Sequence, residues 1–378
     1  MQTGKNKKSI GLLTMHRVCN YGSALQAWAT QEIVKRMGYE VTIIDYVYPN
    51  KYHNQFVPKL PLWKEAARMV MNILYNHPMR RKRECFARFR GKYFNCSQTI
   101  ENREDLKAVC HSFDTYLVGS DQVWNPDVLH EDYSFLLDFV PDNLTKASYA
   151  SSFSQSKLKN CDINKISMLL NRFKSISVRE RNAQLLVKDL IGKEVPICLD
   201  PTLLLRKEDY LPLSEESTIK IRGEYILVYV LDYAFNPYPF ATRFIEELSR
   251  KKGLKVVCID FSARQHLNIS ECIHLHDAIG PAEFLWLFMH ATIVVTSSFH
   301  GTAFALNFEI PFFSIVNDED TGDDRMKSLI LQCGADEQMV VKGSTAPKRC
   351  LDMDWESIRK KLNMLREYSF DYLKNSLQ

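Results

Sequence analysis

A histidine at the start of a helix, directly behind a buried strand, is the residue in this chain best placed to do chemistry. The apolar run 291–296 predicts the strand, and Ser298 and His300 follow it where a helix begins. A helix N-terminus presents backbone N–H groups and the positive end of the helix dipole, both of which favour an anion. We therefore expect a phosphorylated or carboxylated small molecule at this turn, with His300 as a proton donor.

The loop after the first predicted strand carries a second, weaker anion-binding pattern. Asn20, Tyr21 and Gly22 stand where the helix 21–37 begins, and a glycine there lets the backbone approach a ligand closely. The dinucleotide-binding motif G-x-G-x-x-G is missing, so we predict no NAD and no other cofactor. A plain helix start capped by Asn20 is the alternative interpretation.

A dense group of polar side chains ends another apolar strand at 115–118. A carboxylate, two amides and an indole follow it within a few residues, and this mixture is typical of sugar-binding sites. The residues are Asp121, Gln122, Trp124 and Asn125. A turn held together by Asp and Asn side chains is the alternative.

Arg179 follows the strand predicted at 175–178, and its guanidinium can bind a phosphate or a carboxylate through two hydrogen bonds. Alternatively, it forms a surface salt bridge with Glu180. Asp200 closes a further strand predicted at 196–199, and there a turn or a helix cap is the expected role.

Strands alternating with helices predict an α/β protein that positions these groups in two domains. Such alternation is typical of mostly parallel sheets covered on both faces, with ligands bound at the carboxyl ends of the strands, here in a cleft between the halves. The 378 residues suffice for two cores. Because the stretch 209–217 is polar and turn-like, we predict an amino-terminal domain at 1–210, a carboxy-terminal domain at 211–345, and a final helix at 346–378 that packs back on the first domain.

A basic insertion at about 56–95 interrupts this pattern. Residues 51–95 hold eleven Lys and Arg against two Glu, although the whole chain has a net charge of only +4, too small for a dedicated nucleic-acid binder. An amphipathic helix in this insertion, with residues 63–92 facing an anionic membrane, is one interpretation. A solvated helix over the domain edge is the other.

The ten cysteines are scattered singly, without a C-x-x-C pair or zinc-ligand spacing. We therefore predict reduced thiols and no metal site. The apolar run near the N-terminus is too short for a signal peptide, and no run is long enough to span a bilayer. The expected location is the cytoplasm, with peripheral contact at the inner face of the membrane through the basic insertion.

Taken together, the motifs resemble those of the polysaccharide pyruvyl transferase family. The resemblance follows the chain in order and covers about 320 residues. Its motifs begin at Thr14-Met-His-Arg-Val-Cys-Asn-Tyr-Gly-Ser23 and continue through Val118-Gly-Ser-Asp-Gln-Val-Trp-Asn-Pro126, Tyr149-Ala-Ser-Ser-Phe153, Ser177-Val-Arg-Glu180 and Asp200-Pro-Thr-Leu-Leu204 to Ser298-Phe-His-Gly301 and Pro311.

This resemblance implies two Rossmann-like domains in a glycosyltransferase-B-like arrangement. It also implies transfer of a pyruvyl group from phosphoenolpyruvate, as donor substrate, to two hydroxyls of a glycan that is lipid-linked, giving a cyclic ketal and phosphate. In that reaction His300 is the expected acid and phosphate ligand, with Ser298 and Gly301 beside it. Arg179 holds an anionic group of the donor, and Asp121 orients or deprotonates the acceptor, which Asn20, Tyr21 and Gly22 help to line.

One departure from the family pattern concerns the donor site. Other branches carry Arg-Leu-His where this chain has Ser298-Phe299-His300, so one phosphate-binding cation is missing, and Arg325 is the candidate to replace it. Two rival functions remain open. One is a nucleotide-sugar glycosyltransferase of the same fold, although the expected Glu-x(7)-Glu pair is absent, and the other is a non-catalytic carbohydrate-binding or scaffold protein of capsule assembly.

Overall fold

The computed structural model describes residues 7–48, 61, 63, 78–129, 131–159, 161–232, 234–259, 267–275, 279–317, 324–343 and 352–378. These residues form two compact units. The amino-terminal unit contains the described residues of Met1–Tyr75, Arg88–Leu204 and Leu365–Gln378, and the carboxy-terminal unit contains those of Asn76–Ala87 and Leu205–Met364. The division after Leu204 falls a few residues before the boundary predicted at 210.

A parallel sheet of four strands forms the centre of the amino-terminal unit. Its strands are β1 (Ser9–Leu13), β2 (Glu40–Ile43), β3 (Thr115–Val118) and β4 (Thr145–Ser148), in the order β2-β1-β3-β4. In the register, Ile10 of β1 pairs with Val41 of β2 and with Thr115 of β3. Every residue of β3 is buried, as expected for a sheet with both faces covered.

The segments predicted as strands at 175–178 and 196–199 are not regular strands. They extend the sheet beyond β4 through isolated parallel bridges, which join Ser151 to Val178 and Val178 to Ile197. The ladder is interrupted because Ala150, just after β4, has a left-handed φ of 49°, which turns the chain out of an extended conformation.

The carboxy-terminal unit contains a second parallel sheet, of six strands. They are β5 (Tyr225–Tyr229), β6 (Lys255–Ile259), β7 (Cys272–Leu275), β8 (Ile293–Thr296), β9 (Phe312–Val316) and β10 (Met339–Val341), in the order β10-β9-β8-β5-β6-β7. The strand ahead of the histidine turn, β8, is central and fully buried. The prediction of two parallel α/β regions is therefore confirmed.

Helices connect these strands in both units. Those of the amino-terminal unit are Tyr21–Arg36, Pro126–Leu129, Ile163–Asn171, Arg181–Ile191 and Pro201–Leu204; those of the carboxy-terminal unit are Lys207–Glu215, Phe240–Lys252, Pro281–Met289, Phe299–Phe308 and Arg325–Cys333; Pro78–Tyr93 and Trp355–Ser376 contribute to both. Within the described part of the chain, every helix is too short or too polar to cross a bilayer.

The stretch 209–217, predicted to be a polar turn, lies largely within the helix Lys207–Glu215. Its conformation follows from one buried side chain, Tyr210, whose ring lies edge-on to Phe304 and Phe308 at centroid distances of 5.4 and 5.7 Å. Aromatic packing of this kind outweighs the turn propensity of the surrounding polar residues.

The last helix, from Leu365 onward, belongs to the amino-terminal unit. There the Arg366 Nε donates a hydrogen bond to the carbonyl of Leu203 (2.6 Å), and the Leu199 N–H donates to the Ser369 Oγ (2.9 Å). These bonds fix the segment that leads into and out of Asp200, which forms part of the site described next.

Candidate functional site

In the amino-terminal unit, the polar motifs meet at the carboxyl edge of the sheet. Thr14 follows β1, Ser120 and Asp121 follow β3, and Arg179 follows the bridged segment beyond β4. The Thr14 Oγ1 donates to the carbonyl of Ser120 (3.1 Å) and so joins the first two loops. A Cβ at Gly119 would lie 2.8 Å from the Cβ of Thr14, so this approach requires a glycine.

Asp121 is buried at the centre of this edge. Its carboxylate accepts hydrogen bonds from the Ser23 Oγ and from the Gln122 N–H (2.9 Å). Its φ of 85° is uncommon for a residue with a side chain, and such conformations persist where the surrounding contacts over-determine them. The structure therefore places the predicted acceptor-binding carboxylate in a fixed orientation beside the first helix.

Arg179 lies between two carboxylates. Its Nη1 donates to the Asp200 Oδ2 (2.8 Å), its Nη2 is 3.6 Å from the Asp121 Oδ1, and its side chain is only 1% exposed. One guanidinium shared by two carboxylates attracts a further anion weakly, because the local charge is already negative. A surface salt bridge with Glu180 is contradicted, because Glu180 is fully buried, and binding of an anionic group of the donor by Arg179 stays a prediction.

Asp200, for which the sequence predicted only a turn or a helix cap, also contacts this group of residues. Its Oδ2 accepts from the Ser120 Oγ (2.7 Å) as well as from Arg179, and its Oδ1 accepts from the N–H (3.0 Å) and hydroxyl (2.7 Å) of Thr202. The helix-cap role was expected from its position before Pro201. Its ion pair with Arg179 has no local signal, because the two residues meet only through the sheet.

The predicted sugar-binding group at 121–125 is only partly supported. Trp124 is a core residue: its indole packs against Phe153 and Phe173, and its N–H donates to the carbonyl of Phe135 (3.0 Å). The indole of Trp124 is thus packed in the core, and a role for Trp124 in binding a sugar stays a prediction.

The neighbouring amides of Gln122 and Asn125 bond to each other, with the Asn125 Nδ2 donating to the Gln122 Oε1 (2.9 Å). Gln155 in turn donates to the Asn125 Oδ1 (2.9 Å). These contacts are those of a side-chain-stabilised turn, the alternative interpretation of this loop. A role for either amide in binding an acceptor stays a prediction.

The first helix starts with an ordinary cap. The Asn20 Oδ1 accepts from the Ser23 N–H (3.2 Å), and Tyr21 and Gly22 are buried in the first turn. Because Ser23 also bonds to Asp121, this helix start helps to position the carboxylate. Lining of the acceptor by Asn20, Tyr21 and Gly22 stays a prediction.

In the carboxy-terminal unit, β8 turns directly into the helix Phe299–Phe308, and His300 lies in the first helical turn. Ser298 is the N-cap: its N–H donates to the Thr296 Oγ1 (3.0 Å), and its Oγ accepts from the Gly301 N–H at a long 3.5 Å. His300 is 7% exposed and packs edge-on to Phe299. The predicted strand-to-helix turn with a histidine and a capping serine is thus present.

Gly301 is required by the close approach of this helix to β8, because an added Cβ would lie 2.2 Å from the Thr296 Oγ1. We expect Gly301→Ala to lower the free energy of unfolding by about 1–3 kcal/mol, as overpacking typically does. Urea unfolding of the variant measures the loss. Gly91→Ala is the control, since nothing lies within 4 Å of its added Cβ, and equal stabilities of the two variants would contradict the packing argument.

Arg325, the candidate replacement for the missing cation, is the first residue of the helix Arg325–Cys333 and is buried. This helix packs against the histidine helix Phe299–Phe308. Arg325 therefore lies on a helix that packs against the helix bearing His300. Its contact with a phosphate stays a prediction.

A second charged cluster joins Asp45, which follows β2, to His16 and Arg17 in the loop after β1. The Arg17 Nε and Nη2 donate to the two oxygens of Asp45 (2.7 and 2.6 Å), the His16 Nε2 is 2.7 Å from the Asp45 Oδ1, and Thr99 also donates to this carboxylate. Burial alone raises the pKa of Asp45, but the hydrogen bonds from His16, Arg17 and Thr99 outweigh it and hold the pKa below its usual range.

The depressed pKa of Asp45 predicts an acid-sensitive contribution to stability. The ionised carboxylate stabilises the fold fully above the ordinary carboxyl pKa of about 4, and this contribution is lost as the pH falls through the lower folded-state value. Asp45→Asn should therefore be less stable than wild type at pH 7, with a difference that narrows below pH ~4. Chemical unfolding across this pH range measures it. Asp189→Asn, on an exposed helix position, is the control, and a difference independent of pH would contradict the assignment.

Comparison with known proteins accords with this geometry. The family model described as polysaccharide pyruvyl transferase matches residues 20–319, which is most of the chain. No match in sequence was found among curated proteins. UDP-GlcNAc 2-epimerase from Neisseria meningitidis bound to UDP-GlcNAc is similar in structure, with a TM-score of 0.53 and 10% identity over 98% of this chain and 94% of that one. MnaA from S. aureus with UDP has a TM-score of 0.51 and 10% identity over 97% of this chain and 91% of that one. ADP-heptose LPS heptosyltransferase II from E. coli has a TM-score of 0.41 and 11% identity over 95% of this chain and 99% of that one.

At such low identity the structural likeness shows the fold alone. It confirms the prediction of a glycosyltransferase-B-like protein with two parallel α/β units. The family match includes the motifs around Asp121, Arg179, Asp200 and His300, which are the residues that the structure collects at the carboxyl edges of the two sheets. The chain belongs to the polysaccharide pyruvyl transferase family.

Proposed function

We propose that this protein transfers the pyruvyl group of phosphoenolpyruvate to two hydroxyls of one sugar in a lipid-linked polysaccharide precursor. The observation that carries the proposal is the family match across residues 20–319. A ketal-forming reaction releases inorganic phosphate. The first sugar hydroxyl adds to C2 of the donor while the methylene carbon is protonated, and the second hydroxyl then displaces phosphate from the same carbon.

The carboxy-terminal unit supplies the groups suited to the donor. A strand-to-helix turn with a capping serine favours a phosphate, and His300 in its first turn can donate the proton that the methylene carbon needs. We assign the acid to His300, the phosphate to Ser298 and Gly301, and the additional positive charge to Arg325. No cofactor or metal ion takes part in this scheme.

The amino-terminal unit supplies the groups suited to a sugar hydroxyl. Asp121 accepts from Ser23 and Gln122 and lies beside the Arg179 guanidinium, contacts that fix the orientation of its carboxylate. An ionised carboxylate orients a hydroxyl by accepting its hydrogen bond. We therefore assign Asp121 to binding and aligning the acceptor, and Arg179 and Asp200 to holding Asp121 in place.

The experiment that tests the function compares donors. The purified protein is incubated with a lipid-linked galactoside or mannoside and either phosphoenolpyruvate or UDP-GlcNAc, and released phosphate, released UDP and the mass of the product are measured. We expect phosphate release only with phosphoenolpyruvate, with the mass gain of one pyruvyl ketal. UDP release would support the glycosyltransferase alternative, and binding of the acceptor without turnover of either donor would support the non-catalytic one.

Peripheral membrane contact through residues 63–92 is the second part of the proposal, because a lipid-linked acceptor lies at a membrane surface. Residues 64–77 lie outside the described residues, but in the helix Pro78–Tyr93 the side chains of Arg80, Arg81 and Arg83 are exposed, whereas Lys82 is buried. Three exposed cations on one turn are suited to anionic lipid headgroups.

Charge reversal at these three arginines tests the membrane contact. We expect Arg80→Glu, Arg81→Glu and Arg83→Glu together to weaken binding to phosphatidylglycerol vesicles by roughly tenfold or more, since each surface cation contributes about 1 kcal/mol. Co-sedimentation measures it. The control reverses Arg250, Lys251 and Lys252, which are also exposed in one helical turn, and equal binding of the two triple variants would favour the solvated-helix alternative.

A further inference from the structure

Two thiols and an imidazole meet on neighbouring strands of the carboxy-terminal sheet, away from the histidine turn. The Sγ atoms of Cys258 on β6 and Cys272 on β7 are 3.9 Å apart, and the His274 Nε2 is 3.1 Å from the Cys272 Sγ. In the register Cys258 pairs with His274, and Cys272 is two residues before His274, so the three side chains lie on one face of the sheet. Neither thiol forms a disulfide.

The distances fit the coordination shell of a small tetrahedral cation. With zinc–sulfur bonds of about 2.3 Å and zinc–nitrogen bonds of about 2.0 Å, tetrahedral angles require a sulfur–sulfur separation of about 3.8 Å and a sulfur–nitrogen separation of about 3.5 Å. The two sulfurs are therefore already at ligand spacing. The His274 Nε2 must move away from the Cys272 Sγ by about half an ångström to reach the required sulfur–nitrogen separation. The exposed position of His274 on β7 permits this movement.

We propose that Cys258, Cys272 and His274 form a zinc-binding site with a fourth position open to water. Two thiolates and one imidazole are ligands that zinc prefers over the harder cations magnesium and calcium. Cys258 is fully buried on β6, the strand next to the edge, whereas Cys272 and His274 lie on the edge strand β7, so an ion can enter from the solvent side.

A bound ion would link β7, the last strand in the sheet order, to the buried strand β6. We therefore expect zinc to stabilise this edge of the carboxy-terminal unit.

The other cluster of this type in the described residues does not meet the same conditions. His16, Asp45 and Cys96 also bring ligand atoms within 4.8 Å of one another, but both oxygens of Asp45 already accept hydrogen bonds from the Arg17 guanidinium. A fixed positive charge in contact with the carboxylate opposes a divalent cation.

Metal titration of the full chain tests the proposal. The reduced protein, stripped with a chelator, is titrated with Zn²⁺ against a chromophoric competitor, and a second sample with Co²⁺. We expect one tight ion per chain, a sulfur-to-cobalt charge-transfer band and visible bands of tetrahedral cobalt, and a zinc-dependent rise in melting temperature. A reduced protein that binds no zinc, or a Cys258–Cys272 disulfide formed in place of metal binding, would overturn the proposal.

Variants at the exposed side of the site show whether these residues are the ligands. Cys272→Ser and His274→Gln should each weaken zinc binding by at least about tenfold, and Cys272→Ser should diminish the charge-transfer band. Cys110→Ser, which removes a half-buried cysteine of the amino-terminal unit, is the control and should bind zinc as wild type does. Wild-type affinity in both ligand variants would place the metal elsewhere and refute the assignment.

Discussion

Replacing His300 with alanine is expected to lower the rate of phosphate release from phosphoenolpyruvate by about 10²–10⁴-fold, the usual contribution of a positioned general acid. The residue occupies the first turn of the helix behind β8, where an imidazole can both contact a phosphate and deliver a proton. Measurement of kcat and KM separately distinguishes these roles. Loss of the acid lowers kcat, whereas loss of a phosphate contact alone raises the KM for phosphoenolpyruvate.

Two further variants make this prediction specific. His300→Gln keeps a hydrogen-bonding side chain but cannot act as an acid, so it should retain donor binding and lose turnover. His290→Ala is the matched control, since His290 ends the helix Pro281–Met289 of the same unit and stacks on Trp286. Because His300 is buried, circular dichroism must show that its variants fold. Near-normal turnover in a folded His300→Ala variant would remove this residue from the mechanism.

The placement of site residues at strand ends could be predicted from the sequence. Apolar runs such as 115–118 and 291–296 identify buried strands, and in parallel sheets all strands have their carboxyl ends at one edge. Polar residues directly after those runs, such as Asp121 and Ser298, must then lie at that edge. The structure confirms this for Asp121 after β3 and for Ser298 after β8.

The direction and pairing of individual side chains could not be predicted in the same way. Trp124 lies within a polar loop, yet the turn after β3 directs its indole into the core, a result that depends on the backbone at Asp121 with its positive φ. Arg179 and Asp200 meet through adjacent segments of the sheet, and so do Cys258 and Cys272. Such contacts follow from strand order, which sequence patterns along the chain do not contain.

The largest expected loss of stability in the amino-terminal unit comes from removing Asp200. Its carboxylate and the Arg179 guanidinium are both buried, at 0% and 1% side-chain exposure. Removing one member of such a pair leaves the other charge uncompensated, and Asp200→Ala should therefore lower the free energy of unfolding by about 3–5 kcal/mol. Urea unfolding measures it. Asp121 remains 3.6 Å from Arg179 and compensates part of the charge, which places the expected value toward the lower end.

Two comparisons separate the charge of Asp200 from its role as a helix cap. Asp200→Asn keeps an oxygen for the Thr202 N–H and hydroxyl but removes the charge, so a loss close to that of Asp200→Ala identifies the ion pair as the main contribution. Combining Asp200→Asn with Arg179→Gln should cost less than the sum of the two single losses, because each single variant already removes the same ion pair. Asp142→Ala, which breaks an exposed ion pair with Arg172, is the control and should change stability little. Additive losses in the double variant would show that the buried pair is not coupled, and Arg179 would then have to hold Asp121 without help from Asp200.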